Sequence, residues 1–274
     1  MFKDMRRQPA LSSFHAMHKF YEDVAAGDLP TYSWVEPRYY DTPRYPASDM
    51  HPDHDVSVGD QLIKDMYEAI RAGPLWNKTA FIITYDEHGG FFDHVPPPAA
   101  PSPDGISSTD DPFDFTRLGV RVPTLVISPW TAKGTVVHAP PAEQGQYDHT
   151  SLIATVVHKL FEPAAGFPAP SFLTERDAWA ATFEHLFTME ASPRTDCPLT
   201  LPDVGSHRLL FPDTLPSLEA SPLRTITELQ RELVAVAAGA SEDSAFVFAA
   251  TSDWTVAKAV EYVAVRMELL LGGE

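Results

Sequence analysis

Apolar and polar positions along this chain repeat with two different periods, and the switches between them outline its elements. Phe14, Met17, Tyr21 and Val24 recur at helical spacing and predict a first helix over 11–26, capped by Ser12 or Ser13 and stopped by Gly27. Thr31–Glu36 (TYSWVE) alternates aromatic and β-branched residues and predicts a strand. A proline-punctuated loop follows, then a helix over 57–72 whose apolar face is Leu62, Ile63, Met66 and Ile70 and whose stop is Gly73-Pro74. Ala80–Thr84 is a short apolar run rich in β-branched residues and predicts a buried strand. Val120–Ser128 predicts another, with Pro123 delaying its regular part. Asp148 or Thr150 caps a helix to about Phe161 with Leu152, Val156 and Leu160 on one face. Strands interleaved with helices in this order imply an α/β fold with parallel strands and crossover helices. Residues 163–222 are broken by proline and weakly patterned, and no internal repeat is visible. Beyond them, 225–238 (Ile226, Leu229, Leu233, Val236) and 255–271 (Val256, Val260, Val263, Met267, Leu270) predict two amphipathic helices.

Composition narrows the functional classes. The 274 residues suffice for one large or two small domains with a sizeable core. The 26 prolines imply long irregular connections, and 96–119 is the longest. A formal net charge of −18 argues against nonspecific nucleic-acid binding and disfavours docking on anionic lipid, but suits a site that holds a cation. One cysteine, Cys197, excludes an internal disulfide, and its loop position before a proline reads as inert. No run reaches the length of a transmembrane span. The N-terminus has a basic start without an apolar core, so the expectation is a cytoplasmic protein if Met1 is the true start.

Two polar clusters carry the candidate chemistry. The first follows the 80–84 strand: Asp86, Glu87 and His88, two glycines, then Asp93 and His94. Ligands of open α/β sheets bind beyond the carboxyl ends of strands, which places the chemistry here. Adjacent carboxylates repel unless something positive lies between them, and carboxylate oxygens suit hard divalent cations. The second cluster is Ser48-Asp49-Met50-His51-Pro52-Asp53-His54-Asp55. His51 or His54, brought alongside the first cluster, is suited to donate a proton to a leaving group. The plain alternatives are solvated Asx turns and helix caps, and capping is the role expected of Asp55. Gly89-Gly90 is expected to serve backbone geometry. His138 and His149, near element ends, read singly as ordinary surface or core histidines.

ITYDEHGGFFDHVPPP, HPDHDVSVGDQLIKDMYEAI, LGVRVPTLVISPW and YDHTSLIATVVHKLF together resemble the phosphoesterase family of bacterial phospholipases C and related acid phosphatases. The match is closest to the plant-type nonspecific phospholipases C. It extends to LPTYSWVEPRYYDTPRYPASDMHPDHD, FLTERDAWAATFEHLF and SPRTDCPLTLPDV, and the C-terminal helices have a similar counterpart. The resemblance implies part of an alkaline-phosphatase-like α/β sandwich, with 1–205 the C-terminal portion of the catalytic domain and 206–274 a C-terminal helical region. It implies a hydrolase that cleaves phospholipids to diacylglycerol and a phospho-headgroup, through a covalent intermediate on Ser or Thr and with a divalent metal ion. It assigns metal ligation to Asp86 and Glu87, and a phosphate-contacting or proton-donating role to His51. Asp93 and His94 match the family's following Asp-His pair. The implied partners are a phospholipid or other phosphate ester and, peripherally, a membrane surface.

One departure qualifies this. The family's ENRSFD-like motif, which supplies further metal ligands, and its TxPNR-like motif, which carries the nucleophile, are absent. The expectation is a fragment that starts near the middle of a family member, a half-enzyme that pairs with another chain, or an inactive remnant that binds metal, lipid or a partner. A phosphomonoesterase is the alternative activity. Missing sheet strands would leave an open edge, so poor solubility or marginal stability of the chain by itself is also expected.

Overall fold

A computed structural model describes residues 13–41, 45–106, 113–141, 145–161, 172–187, 192–205, 225–226, 231, 234 and 253–271. The chain divides into two compact units, Met1–Leu75 with Pro198–Glu274, and Trp76–Cys197.

In the first unit, helix α1 spans Met17–Ala26. Its N-cap is Ala16, which offers no side-chain acceptor, so the predicted Ser13 cap is not used and the helix starts later than its periodicity suggests; Ser12 lies outside the described residues. Gly27 ends it at φ 77°, the left-handed geometry that glycine adopts without cost. Helix α2 spans Val56–Ala72, and Asp55 caps it by accepting from the Ser57 N–H at 2.9 Å. Its buried residues are Gly59, Met66, Tyr67 and Ile70. Gly59 is part of the packing: a Cβ there would stand 2.7 Å from Met50 Cγ and 3.3 Å from the Ser48 carbonyl. Residues 198–203 run along the same helix. Tyr67 donates its hydroxyl proton to the Pro198 carbonyl, Lys64 donates to the Leu201 carbonyl, and Glu68 accepts from the Leu201 N–H. A small core joins Ile226, Val234, Val256 and Ala259, with Tyr40 and Trp254 against it. Val256 opens the C-terminal helix, Val256–Leu271. Most of the predicted 225–238 helix lies outside the described residues, although Arg231 and Val234 are helical. The predicted strand at 31–36 is absent. Those residues have no regular structure, and side-chain bonds within the segment (Trp34 and Tyr39 to Glu36) replace a ladder.

In the second unit, β1 (Phe81–Thr84) pairs with β2 (Thr124–Ile127). The pairing is antiparallel, Phe81 opposite Ile127 and Thr84 opposite Thr124. This corrects the expected parallel arrangement. No helix is described in the connection between the strands, so the chain turns back without a crossover. Both strands are half-buried to exposed rather than buried, because no further described strand covers this ribbon. Pro123 precedes β2, as its missing N–H requires. Side chains anchor the base of the ribbon: Ser128 Oγ donates to the Thr79 carbonyl and Trp130 Nε1 to the Asn77 carbonyl, at 2.9 and 2.8 Å.

Helix α3 starts at His149 under a capping box made by Asp148 and Ser151. It continues beyond Ile153 as π-helical turns over Ala154–Phe161. Its buried face is Ser151, Ala154 and Thr155, and Leu160 is exposed. The face is therefore rotated from the predicted Leu152-Val156-Leu160 stripe. Polar Thr155 sits inside because its hydroxyl oxygen accepts from the Phe183 N–H at 3.1 Å. Within the weakly patterned stretch lies a short helix α4, Glu175–Trp179, under a Thr174–Asp177 capping box. The mixed helix and small-sheet content is what was expected of the chain at the level of class. The C-terminal helix, Val256–Leu271, is α5.

Candidate active site

The acidic cluster forms the turn that leaves β1. Asp86 and Glu87 are both exposed, and their side chains shape the turn they stand on. Asp86 Oδ1 accepts from the Glu87 N–H at 2.9 Å, and Glu87 Oε2 accepts from the Gly89 N–H at 2.6 Å. Gly89 and Gly90 hold φ of 68° and 73°, so the double glycine reverses the chain in a conformation side chains resist. His88 closes the reversal by donating from Nδ1 to the Phe91 carbonyl at 2.7 Å. Phe91 and Phe92 then stand out to solvent, Phe92 at 92% of its full exposure. Carboxylate oxygens of this kind are the ligands a hard cation prefers.

Asp93 and His94 are placed differently from each other. Asp93 receives a two-pronged ion pair from Arg121, Nε to Oδ2 at 2.7 Å and Nη2 to Oδ1 at 2.8 Å. Its Oδ1 also accepts from the Val95 N–H. The Arg121 hydrogen bond, followed by that N–H, holds the carboxyl at a pKa of about 2. Asp93 is thus an anion at any working pH and is unsuited to donate a proton. His94 Nδ1 lies 3.5 Å from Asp93 Oδ1, with its ring largely in solvent.

His51 belongs to the first unit. Its Nδ1 donates to the Pro52 carbonyl at 2.5 Å. Its backbone N–H donates to Asp49 Oδ2 at 3.2 Å, and Asp49 Oδ1 accepts from His54 Nδ1 at 2.7 Å. Asp49 and His54 are almost wholly buried. The loop that carries His51 is therefore built on a buried carboxylate–imidazole pair, and His54 is a structural member of it. Asp86, Glu87, Asp93 and His94 lie in one unit and His51 in the other.

Sequence reasoning gave no role to two residues of the second unit, of which the first bonds the start of the acidic turn. His149, the first residue of α3, donates from Nε2 to the Tyr85 carbonyl at 2.7 Å, directly before Asp86. Arg176 of α4 donates to the carbonyls of Pro101 and Phe115, both at 2.7 Å, and stands 3.8 Å from the Asp148 carboxylate. The bonds to the Tyr85, Pro101 and Phe115 carbonyls have no local pattern, since the partners lie 64, 75 and 61 positions apart.

A divalent metal ion requires more donors than the acidic turn supplies. Asp86 and Glu87 are the right chemical type, but among the described residues no three His, Cys, Asp or Glu side chains are placed to share an ion. Two carboxylates do not make the six or more oxygens of a hard cation, so the described residues do not by themselves fit one.

The phosphoesterase family pattern matches residues 2–162, which include the acidic turn, the His51 loop and α3. The chain belongs to the phosphoesterase family. It is 44% identical to Non-specific phospholipase C6 of Arabidopsis thaliana over 96% of its own length, and 51% identical to Non-specific phospholipase C1 of the same plant over 74%. It is 31% identical to Phospholipase C B of Mycobacterium tuberculosis over 76% of its length. The chain spans less than half the length of each of these relatives: 49%, 38% and 43%. No described helix is long and apolar enough to cross a membrane.

Proposed function

We propose that this chain carries the acidic part of a phosphodiesterase site of the nonspecific phospholipase C type. The reaction is hydrolysis of the glycerol–phosphate ester: a phospholipid and water yield diacylglycerol and a phospho-headgroup. The observation that carries this reading is the exposed Asp86–Glu87 turn at the end of β1, within the stretch matched by the phosphoesterase family. Asp86 and Glu87 are proposed as ligands of a divalent metal, completed by groups outside the described residues. Such an ion, when bound, supplies charge for the phosphoryl oxygens. His51 is proposed to contact the phosphate or to pass a proton to the departing glycerol oxygen. Asp93, fixed by Arg121, is proposed to hold the stretch that leads away from the turn, with His94 beside it at the substrate's polar head. The two-stranded ribbon is proposed to belong to a larger alkaline-phosphatase-like α/β sandwich. Contact with a membrane surface is proposed to be peripheral.

A second reading has its own support. The lack of a three-residue metal group among the described residues, with no ENRSFD-like or TxPNR-like motif in the sequence, favours a remnant that binds metal, lipid or a partner chain without turnover. The discriminating experiment measures headgroup release from phosphatidylcholine vesicles by the purified chain, alone and with a polypeptide that supplies both motifs. The enzyme reading expects release in the mixture and its loss in Asp86→Asn and Glu87→Gln. No release in either condition supports the remnant.

A further inference from the structure

We infer that His149 is a positioning residue for the acidic turn, acting through the Tyr85 carbonyl. The inference rests on the proposed role of Asp86 and Glu87, and concerns how their turn is held. The turn is built mostly from its own atoms: Asp86 accepts from the next N–H, Glu87 from the N–H two residues on, and His88 binds the Phe91 carbonyl. Such local bonds set the shape of a turn but not its place, because they move with it. The bond from His149 Nε2 to the Tyr85 carbonyl reaches across 64 positions and ties the first residue of the turn to an independent element. The other end of the tie is fixed. His149 opens α3, and the residue before it is the cap: Asp148 accepts from the Thr150 N–H at 2.8 Å and from the Ser151 N–H at 3.3 Å, while the Ser151 hydroxyl accepts from the Asp148 N–H. A second anchor, Arg176, stands 3.8 Å from the free side of that carboxylate. A capped helix end thus presents an imidazole N–H to the carbonyl at the strand exit. Glycines at 89 and 90 leave the far side of the turn conformationally permissive, so the near side has to supply the restraint.

The test compares His149→Ala, His149→Gln and Asp86→Asn with the unaltered chain by two-dimensional NMR. The amide–water exchange rates of Glu87 and Gly89 are read, since those N–H groups close the turn. Removal of one ordinary hydrogen bond is expected to raise both rates in His149→Ala by roughly three- to tenfold. The amides of β1, β2 and α4 keep their rates. His149→Gln, whose amide N–H reaches the same carbonyl, restores the slow exchange. Unchanged rates at Glu87 and Gly89 in His149→Ala, or a rise spread evenly over the whole unit, overturn the inference. Headgroup release by the complemented chain is measured in parallel. Full turnover in Asp86→Asn sinks the role proposed for Asp86 and leaves the exchange result to stand by itself.

Discussion

Replacement of Arg176 is the sharpest test of how the second unit keeps its long connection in order. The guanidinium is mostly buried, its Nε bonds the Pro101 carbonyl and its Nη2 the Phe115 carbonyl, each at 2.7 Å. One planar group thereby ties both branches of the connection that links β1 to β2. A third bond, from the Glu175 N–H to the Pro103 carbonyl at 3.0 Å, belongs to the backbone and survives any side-chain change. Hydrogen bonds from a charged donor are worth about 1.5–3 kcal/mol each. Phe115 sits at φ 58°, a left-handed conformation that costs a side-chain-bearing residue roughly 1–2 kcal/mol and persists only while its surroundings hold it. Arg176→Ala loses both bonds and leaves two carbonyls to find water, while Phe115 relaxes and returns part of the cost. The expected net loss is about 3 kcal/mol. Arg176→Lys retains the charge but not the fork, reaches one carbonyl, and loses about 1–2 kcal/mol. The assay is urea unfolding, read together with tryptic cleavage after Arg117, which is expected to accelerate in the order native, lysine, alanine. If alanine lies within about 0.5 kcal/mol of the native chain, or if lysine and alanine lose the same amount, the two-branch clamp is wrong.

Asp93 gives a pH dependence with a defined sign. Its carboxyl is held at about 2 against 3.8 when free. The Arg121 pair therefore contributes fully above about pH 4, and its contribution is lost as pH falls through about 2. Unfolding midpoints from pH 5 to pH 2 should drop more steeply for the native chain than for Asp93→Asn, and parallel curves would refute this. Asp177 is buried and accepts from the Leu173 N–H, the Thr174 N–H and the Thr174 hydroxyl. Burial works against its ionised form, but these bonds outweigh burial and lower the pKa. Asp177→Ala is expected to cost about 2–3 kcal/mol and Asp177→Asn, which keeps one acceptor oxygen, about half of that, by urea titration. The half-buried ribbon, with Leu125 at 47% exposure, and the outward Phe92 predict self-association of the isolated chain at micromolar concentration. Sedimentation that shows a monomer throughout that range would contradict it.

Local chemistry was legible in the sequence where partners lie close along the chain. Asp55 and Asp148 are caps because a carboxylate two or three residues before a helical N–H reaches it without help from elsewhere. Gly27 and Pro123 bound their elements for similarly local reasons. The same rule could have found α4, since Thr174 and Asp177 have the spacing of a capping box, but five residues are too few for a periodic stripe. Strand direction was not legible. Alternation and apolar runs report which face is covered, not which way the partner runs, and the proline-rich connection left both directions open. The rotated face of α3 has a different cause. Thr155 is buried by a bond to a backbone N–H 28 positions away, which hydropathy does not register. The acidic turn was found from its residues, whereas its outside anchor, His149, depends on a contact that only the folded chain creates.

The central claim is that Asp86 and Glu87 are the acidic part of a phosphodiesterase site. The measurement that tests it most directly is headgroup release from phosphatidylcholine by the chain complemented with the two missing motifs, compared among the native sequence, Asp86→Asn and Glu87→Gln. The account predicts release by the native sequence and a loss of at least about a hundredfold in both variants, with unfolding midpoints unchanged because both side chains are exposed. Release that persists in either variant, or no release by the complemented native chain, would contradict it.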